Sequence, residues 1–261
     1  MFYETRKLSN LHNKNFNPKA LIIFLLSLII PFISFGQSAD EILKKVDENM
    51  SSTNRIYMSS MTIHGKRFSR TLTSNSYVVG TEKSFTEYLS PAREKGTKML
   101  KLKNQLWIYS PSSDRTIQIS GHMLRQSVMG SDLSYEDMME NRKLTDIYTT
   151  KLIDSVDWEG NKCFVLELTA KVANTAYYRR KMWIDIKRFV PLKEELFAKS
   201  GQLLKRIVFS DVKLISGRWF PMSINFKDML KNGLGTDFNI TQIKFNQDIP
   251  DYIFTKASLK K

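Results

Sequence analysis

The sequence has few of the residues that build disulfides, metal sites and catalytic centres. Its 261 residues include one cysteine and three histidines. A single cysteine, Cys163, cannot form an intramolecular disulfide, and its apolar neighbours favour a small buried side chain over a nucleophile. His64 and His122 have no spacing to Cys163 that is typical of metal ligands, so no metal site is predicted. The Gly233–Gly235 turn lacks the lysine and helix of a phosphate-binding loop, so no cofactor is expected.

Signals of catalysis are also scarce. No pentapeptide of the form Gly-x-Ser-x-Gly, which marks the nucleophile of many serine hydrolases, occurs. Ser127 and Ser131 lie close to His122 and Asp132 along the chain, but closeness in sequence does not make a catalytic triad. We therefore predict no catalytic residues and a protein that is not an enzyme. A hydrolase is the distant alternative.

No apolar run is as long as the roughly 20 residues that a membrane-spanning helix needs. The longest, residues 20–35, follows Lys19 and ends at Ser34-Phe35-Gly36, which is typical of a signal-peptidase site. Residues 1–36 are thus predicted to be a signal peptide cleaved before Gln37, with an uncleaved N-terminal anchor as the alternative. The mature protein, residues 37–261, is expected to be soluble and periplasmic. It contains no repeat or linker, which favours a single domain.

Positive charge exceeds negative charge. Forty Lys and Arg residues against 26 Asp and Glu give a net charge of +14. Such an excess suits nucleic acid, an anionic membrane surface or solubility alone. Because the predicted export makes nucleic acid an unsuitable partner, acidic lipid headgroups are the better interpretation.

Hydrophobic periodicity predicts one helix followed by a sheet. Ser38 and Glu41 have the capping-box spacing, and the apolar residues after them recur at helical spacing up to Met50. From about residue 54 the period changes to two, most clearly at residues 180–188. Short turns separate the alternating segments, so they form an antiparallel, meandering sheet of ten or eleven strands. An open sheet of that size should curl around helical filling.

Alternation stops at residues 121–142, a methionine-rich insertion. Ser134 to Asp137 again has the form of a helix start. Met side chains are flexible and suit surfaces that accept partners of variable shape. Two interpretations remain open: a lid over the sheet, with Gly121 and Gly130 as hinges, or a plug that fills its core.

Several motifs resemble the LolA-like outer membrane lipoprotein-sorting proteins. They are residues 93–100 (Arg-Glu-Lys-Gly-Thr-Lys-Met-Leu), 106–111 (Leu-Trp-Ile-Tyr-Ser-Pro), Asp114-Arg115, Gly121-His122, 126–132 (Gln-Ser-Val-Met-Gly-Ser-Asp) and 135–138 (Tyr-Glu-Asp-Met). The resemblance is specific over about residues 90–140 and looser over the rest of the mature chain.

This resemblance implies an unclosed antiparallel β-barrel of about eleven strands wrapped around an N-terminal helix and a helical lid or plug. It also implies a hydrophobic cavity for the acyl chains of lipoproteins or phospholipids. The candidate cavity and lid residues are Met99, Trp107, Tyr109, Met123, Leu124, Val128, Met129, Leu133, Met138 and Met139. The candidates for contacting a headgroup or a partner are Lys95, Lys98, Arg115 and Arg125.

The resulting hypothesis is a monomeric periplasmic carrier for lipoprotein sorting or lipid transport. An inner-membrane exporter and an outer-membrane acceptor are its possible partners. The alternative is an envelope protein that uses the same fold as a binding or scaffolding module on an exporter. Cargo, donor, acceptor and direction of transport are not encoded in recognisable motifs.

Overall fold

The computed structural model describes residues 37–65 and 67–260. The predicted signal peptide lies outside these residues. Among the described residues, no helix is both long and apolar enough to cross a membrane.

The first element is the predicted amphipathic helix, α1 (Ala39–Met50). Its N-terminus has the expected capping box: the Ser38 hydroxyl accepts from Glu41 N, and Ser38 N donates to the Glu41 carboxylate at 3.1 Å. These bonds satisfy backbone donors that a helix end leaves free. Ile42, Leu43 and Val46 share one face and are buried, as the spacing predicts.

Thirteen antiparallel strands follow. They are β1 (Asn54–His64), β2 (Ser69–Val79), β3 (Lys83–Ser90), β4 (Lys98–Leu102), β5 (Gln105–Ser110), β6 (Arg115–Ile119), β7 (Tyr148–Trp158), β8 (Asn161–Ala170), β9 (Arg179–Asp185), β10 (Pro191–Phe197), β11 (Leu203–Ile215), β12 (Arg218–Asp228) and β13 (Thr236–Phe245). Their order in the sheet is β6-β5-β4-β3-β2-β1-β13-β12-β11-β10-β9-β8-β7.

This sheet confirms the predicted fold class, an unclosed antiparallel barrel. Each strand pairs with its neighbour in sequence, except that β1 pairs with β13 at the centre and β6 and β7 end the order unpaired with each other. Two strands more than the expected eleven are present. A strand without alternation is hard to recognise in a sequence. β7 is an example, because its residues 151–155 are all exposed and the alternation between the two faces is weak there.

The connection from β6 to β7 contains the predicted insertion, called the covering segment (residues 121–142) from here on. It consists of two 3₁₀ turns, Gly121–Arg125 and Val128–Gly130, and a short helix, α2 (Tyr135–Met139). Another short helix, α3 (Leu144–Ile147), leads into β7. The capping box predicted at the start of α2 is present, between Ser134 and Asp137.

The two faces of the sheet have different covers. On the inner face, α1 packs on β7, β8 and β9, and the covering segment packs on β1 to β6. On the outer face, the C-terminal 3₁₀ turns Asp251–Phe254 and Lys256–Leu259 pack on Phe85, Leu100 and Trp107. Successive residues of a strand point to opposite faces, so each strand contributes to both layers.

Candidate functional site

The covering segment lies on an apolar patch of the inner face. Val128 and Leu133, which are 0% and 7% exposed, are its buried anchors. The sheet residues beneath are Met61, Leu72, Tyr88, Met99, Leu106, Ile108 and Ile119. Around the anchors, partly buried residues complete the contact: Met123, Leu124, Met129, Tyr135, Met138 and Met139. The segment therefore presents a methionine-rich surface to the sheet.

The structure brings together eight of the ten candidate cavity residues. They are Met99, Met123, Leu124, Val128, Met129, Leu133, Met138 and Met139, which all belong to this one cluster. Trp107 and Tyr109 are separated from them. On β5, Leu106 and Ile108 point to the inner face, so Trp107 and Tyr109 point to the outer face, beside Phe254 and Leu259. The strand was predicted correctly, but its inward face was not.

The four candidate headgroup residues differ in exposure. Lys95, Arg115 and Arg125 are exposed, whereas Lys98 is buried, next to Met99 but on the opposite face of β4. Arg125 lines a cavity of the covering segment, together with Ser134 and other residues. That these four residues contact a headgroup or a partner stays a prediction.

Side chains fasten the covering segment to the sheet. Arg70 on β2 donates to Met129 O, and Lys101 Nζ on β4 donates to Met139 O at 2.5 Å. The carboxylate of Asp132 accepts from Asp228 N and from the Thr236 hydroxyl, both at 2.9 Å. The backbone-to-backbone hydrogen bonds of residues 121–142 all join residues of the connection itself, between residues 120 and 140. The segment can therefore leave the sheet without breaking a strand ladder.

Asp137, in α2, is the most connected of these fasteners. Its carboxylate accepts a hydrogen bond from the Tyr177 hydroxyl at 2.6 Å and pairs with Lys205 of β11. Burial alone would raise the pKa of Asp137, but the charge of Lys205 and these hydrogen bonds outweigh it and hold the pKa below its ordinary value. The carboxylate stays ionised at neutral pH. Burial and the nearby Asp137 charge raise the pKa of Tyr177, which keeps its hydroxyl a donor.

A second set of buried polar side chains lies beside the set formed by Asp137, Tyr177 and Lys205. Arg180 of β9 donates to the Tyr148 hydroxyl at 3.0 Å and to the Glu194 carboxylate at 3.2 Å. The Tyr148 hydroxyl in turn donates to Tyr177 O at 3.0 Å. Unpaired charges are costly to bury. Arg180 and Glu194 can be buried because each forms a hydrogen bond and an ion pair with the other.

Sequence reasoning missed these buried charges. Lys205 and Asp137 are far apart in sequence, so no local spacing connects them. The one local signal was the Ser134 to Asp137 capping box, which was used only to place a helix. Similarly, Lys101 alternates in phase with Met99, so the predicted strand already places a lysine on the same face as this apolar residue.

A small cavity lies between α2 and the loop at residues 171–178. Its volume is about 160 Å³, and its lining combines apolar side chains with charged ones. The apolar residues include Leu144, Leu196, Ile207 and Phe226, and the charged residues are Glu136, Asp137, Glu140, Arg142 and Arg180. Two more open cavities adjoin it, of about 510 and 420 Å³, and all three share Glu136, Thr175 and Ala176. The border of the covering segment is therefore the loosely packed part of this region.

The residues considered for catalysis have other partners. Ser127 accepts a hydrogen bond from Lys231 Nζ at 2.6 Å, and Asp132 is engaged by Thr236 and Asp228. His122 is exposed. In the part of the chain that the structure describes, no group of three or more His, Cys, Asp or Glu residues is placed to hold a metal ion. That the protein is not an enzyme stays a prediction.

Burial makes Cys163 a poor nucleophile. Its side chain is fully buried, and burial together with the nearby charges of Asp185 and Asp157 raises the pKa of the thiol to about 11. Nucleophilic reactivity belongs to the thiolate, which is scarce at neutral pH with such a pKa. The interpretation as a small buried side chain fits this position.

Comparison with known proteins gives a family and a fold. A family model described as "Uncharacterized protein" matches residues 80–261. A search of curated proteins finds no significant match.

Three solved structures are similar over 85% of this chain. A domain named for outer membrane lipoprotein sorting, from Vibrio parahaemolyticus, is 22% identical, with 98% of its length covered and a TM-score of 0.75. A DUF1329 family protein from Desulfovibrio piger is 23% identical, with 97% covered and a TM-score of 0.77. A LolA superfamily protein from Nitrosomonas europaea is 26% identical, with 99% covered and a TM-score of 0.71.

Proposed function

We propose that this chain is a carrier of acyl chains. The premise is that the chain belongs to the family whose model matches residues 80–261 and has the LolA-superfamily fold. The chains would bind between the inner face of the sheet and the covering segment. Lipoproteins and phospholipids are the candidate cargoes. The sorting function named for the Vibrio domain supports the first of these.

The observation that carries the proposal is the combination of apolar contact and weak attachment at the covering segment. Its methionines lie on an apolar patch of β1 to β6, and only side chains fasten it to the sheet. Met side chains repack at little cost, because they are unbranched and flexible. An acyl chain could therefore replace the methionines on the patch while the sheet stays intact.

In this proposal the structure is the closed form of the carrier. The cavity of about 160 Å³ beside α2 is smaller than the roughly 300–1,000 Å³ of ordinary small-molecule sites, and charged residues such as Glu140 and Arg142 line part of it. Binding must therefore move the covering segment outward. Burial of each methylene contributes about 0.8 kcal/mol, so a chain of many carbons can offset the loss of the methionine contacts. Gly121 and Gly130, both with positive φ, allow large changes of backbone angle at that segment.

The proposed location is the periplasm. It rests on the predicted signal peptide at residues 1–36 and on the kind of protein that shares the fold. A carrier there would take cargo from an inner-membrane exporter and give it to an outer-membrane acceptor. A scaffold that docks on an exporter without carrying lipid is the second candidate, because the cavities at the border of the covering segment are lined in part by charged residues.

The test is direct detection of bound lipid. The mature protein is purified gently, and its organic extract is analysed by mass spectrometry. A fluorescent sixteen-carbon fatty acid is then titrated into the delipidated protein. We expect acyl lipid at near one per protein and saturable binding of the probe.

A matched pair of variants makes the test specific. Met138→Arg places a charge in the apolar contact and should weaken probe binding by about tenfold or more. Met58→Arg, at a methionine that is 39% exposed, should bind like the wild type. Thermal unfolding of both variants checks that they fold. A clean extract and no probe binding would favour the scaffold.

A further inference from the structure

Two neighbouring hairpin turns expose large apolar side chains. Phe68, in the turn between β1 and β2, is 78% exposed. Leu230 and Leu234, in the turn between β12 and β13, are 63% and 76% exposed. Contiguous exposed apolar residues on a protein surface commonly mark a site of interaction.

The two turns lie side by side because β1 pairs with β13. His64 N donates to Gly235 O at 3.2 Å, and the His64 ring bonds to Asp237 at 2.7 Å. A Cβ atom on Gly233 would lie 3.7 Å from His64 O. The Phe68 turn and the leucine turn thus form one surface, called the turn surface here (residues 64–65, 67–70 and 227–235).

The turn surface carries a net positive charge. Its fifteen positions contain four Lys or Arg residues and one acid, Asp228. Lys231 is paired with Asp228 at 3.4 Å and Arg70 with Glu94 at 3.3 Å, so Arg67 and Lys227 carry the charge offered to a partner. Arg67, next to Phe68, is exposed. Exposed apolar side chains at turns, flanked by cations, complement a surface with anionic headgroups and an apolar interior.

We infer that the turn surface docks on a bilayer that contains acidic phospholipid. Phe68, Leu230 and Leu234 enter the headgroup region, and Arg67 and Lys227 contact lipid phosphates. Leu230 also lines the open cavity of about 420 Å³ beside the covering segment. All three apolar residues are carried on turns and are more than 60% exposed, which suits a deformable lipid surface. This inference goes beyond cargo binding, because docking needs no occupied cavity.

The turn surface adjoins the covering segment. Lys231 Nζ donates to Ser127 Oγ at 2.6 Å and to Ser131 O at 3.2 Å. Docking therefore brings the covering segment close to the bilayer, at the place where an acyl chain would enter or leave.

The experiment is flotation of the mature chain with vesicles in low salt. One set of vesicles is phosphatidylcholine alone, and the other contains about one third phosphatidylglycerol. We expect the protein to float with the anionic vesicles, and to lose most of that binding at about 0.5 M salt, where charges are screened within a few ångströms.

Variants assign the binding to the turn surface. The combined Phe68→Ser, Leu230→Ser and Leu234→Ser variant should lower the bound fraction on anionic vesicles about tenfold or more, since each substitution removes a large apolar side chain. Leu214→Ser with Tyr252→Ser removes apolar residues that are 59% and 70% exposed elsewhere, and should bind normally. Circular dichroism checks the fold of each variant.

Equal binding to neutral vesicles, no binding, or full binding by the triple variant would overturn the inference. Failure of the carrier proposal gives a different pattern. In that case anionic vesicles still bind the protein, but the fatty-acid probe does not. Conversely, probe binding without vesicle binding supports the carrier and rejects the turn surface as a membrane site.

Discussion

The two halves of the inner face are covered in different ways. Over β7 to β9, α1 inserts Ile42, Leu43 and Val46, which are at most 1% exposed, against strand residues that are equally buried. Over β1 to β6, the covering segment has two buried anchors, Val128 and Leu133, surrounded by methionines that are only partly buried. One sheet thus has a tightly packed half and a loosely covered half.

The difference shows how a single fold can combine stability with access. α1 has three full turns, a complete capping box and a fully buried apolar face, so it serves as a permanent part of the core. The covering segment consists of 3₁₀ turns and a five-residue helix, which gain little from their own hydrogen bonds. Local openings are expected where few apolar contacts are fully buried.

The largest effect should come from truncating a residue in the tightly packed half. A truncation in the loosely covered half is the comparison. Leu43→Ala removes a fully buried side chain and should lower the free energy of unfolding by about 2–5 kcal/mol. Met138→Ala removes a partly buried side chain and should cost less than about 1.5 kcal/mol. Urea denaturation measures both. Equal losses would show that the two covers are equally integral to the core.

Two carboxylates that fasten the covers give a second comparison. Asp47 accepts hydrogen bonds from Leu144 N and from Thr145 N, both at 2.9 Å, and so ties α1 to α3. Asp132 ties the covering segment to β12 and β13. Asp47→Ala leaves buried donors unpaired and should lower global stability by about 1–3 kcal/mol.

Asp132→Ala should act locally. We expect faster amide hydrogen exchange at residues 121–142 and a smaller change in global stability than for Asp47→Ala. Hydrogen exchange followed by mass spectrometry distinguishes the two. A global loss at Asp132 that matches the loss at Asp47 would contradict the picture of a separable cover.

Acid should loosen the covering segment through Asp137. Because the native pKa of this carboxyl is lowered, its stabilising effect is present above the unfolded pKa of about 4 and is lost as pH falls through the native value. Protection of residues 135–139 from exchange, relative to the intrinsic rate at the same pH, should therefore fall on acidification below about pH 4. Asp137→Asn should exchange faster at neutral pH and lose this component of the acid response. An unchanged acid response in that variant would exclude Asp137 as its source.

The smallest expected effect concerns Lys101 at alkaline pH. Burial lowers its pKa to about 8, although nearby Glu140 opposes the change. Between the native pKa and the higher unfolded value, only the unfolded chain holds the proton, so stability should rise with pH. Lys101→Met should lack this increment, whereas Lys103→Met, at an exposed neighbour, should retain it. Thermal unfolding at pH 7 to 10 measures the difference between the two variants.

Local patterns predicted most of the architecture. The capping box at Ser38 located α1, and alternation located the strands whose two faces differ in polarity. Strands such as β7 were harder to count, since most of its residues are exposed and its edge position imposes little alternation. The loss of alternation at residues 121–142 correctly marked the covering segment, because turns have no period of two.

The details of the site needed three-dimensional information. Alternation establishes that Trp107 and Leu106 point in opposite directions, but both are apolar, so it cannot say which one faces inward. The contact between Asp137 and Lys205 joins a short helix to a distant strand, and no local spacing encodes it. The turn surface depends on the pairing of β1 with β13, which no single hairpin specifies.

That same pairing has a consequence for how the molecule is assembled. The central seam of the sheet joins residues 54–64 to residues 236–245, whereas the other ladders are hairpins between strands adjacent in sequence or separated by short turns. Hairpins form within microseconds because their residues are close in sequence. The pairing of β1 with β13 can form only after both ends of the chain are present. A chain that emerges N-terminus first would therefore hold β1 as an unpaired edge until the last strand arrives. Until then that edge is open to association with other chains.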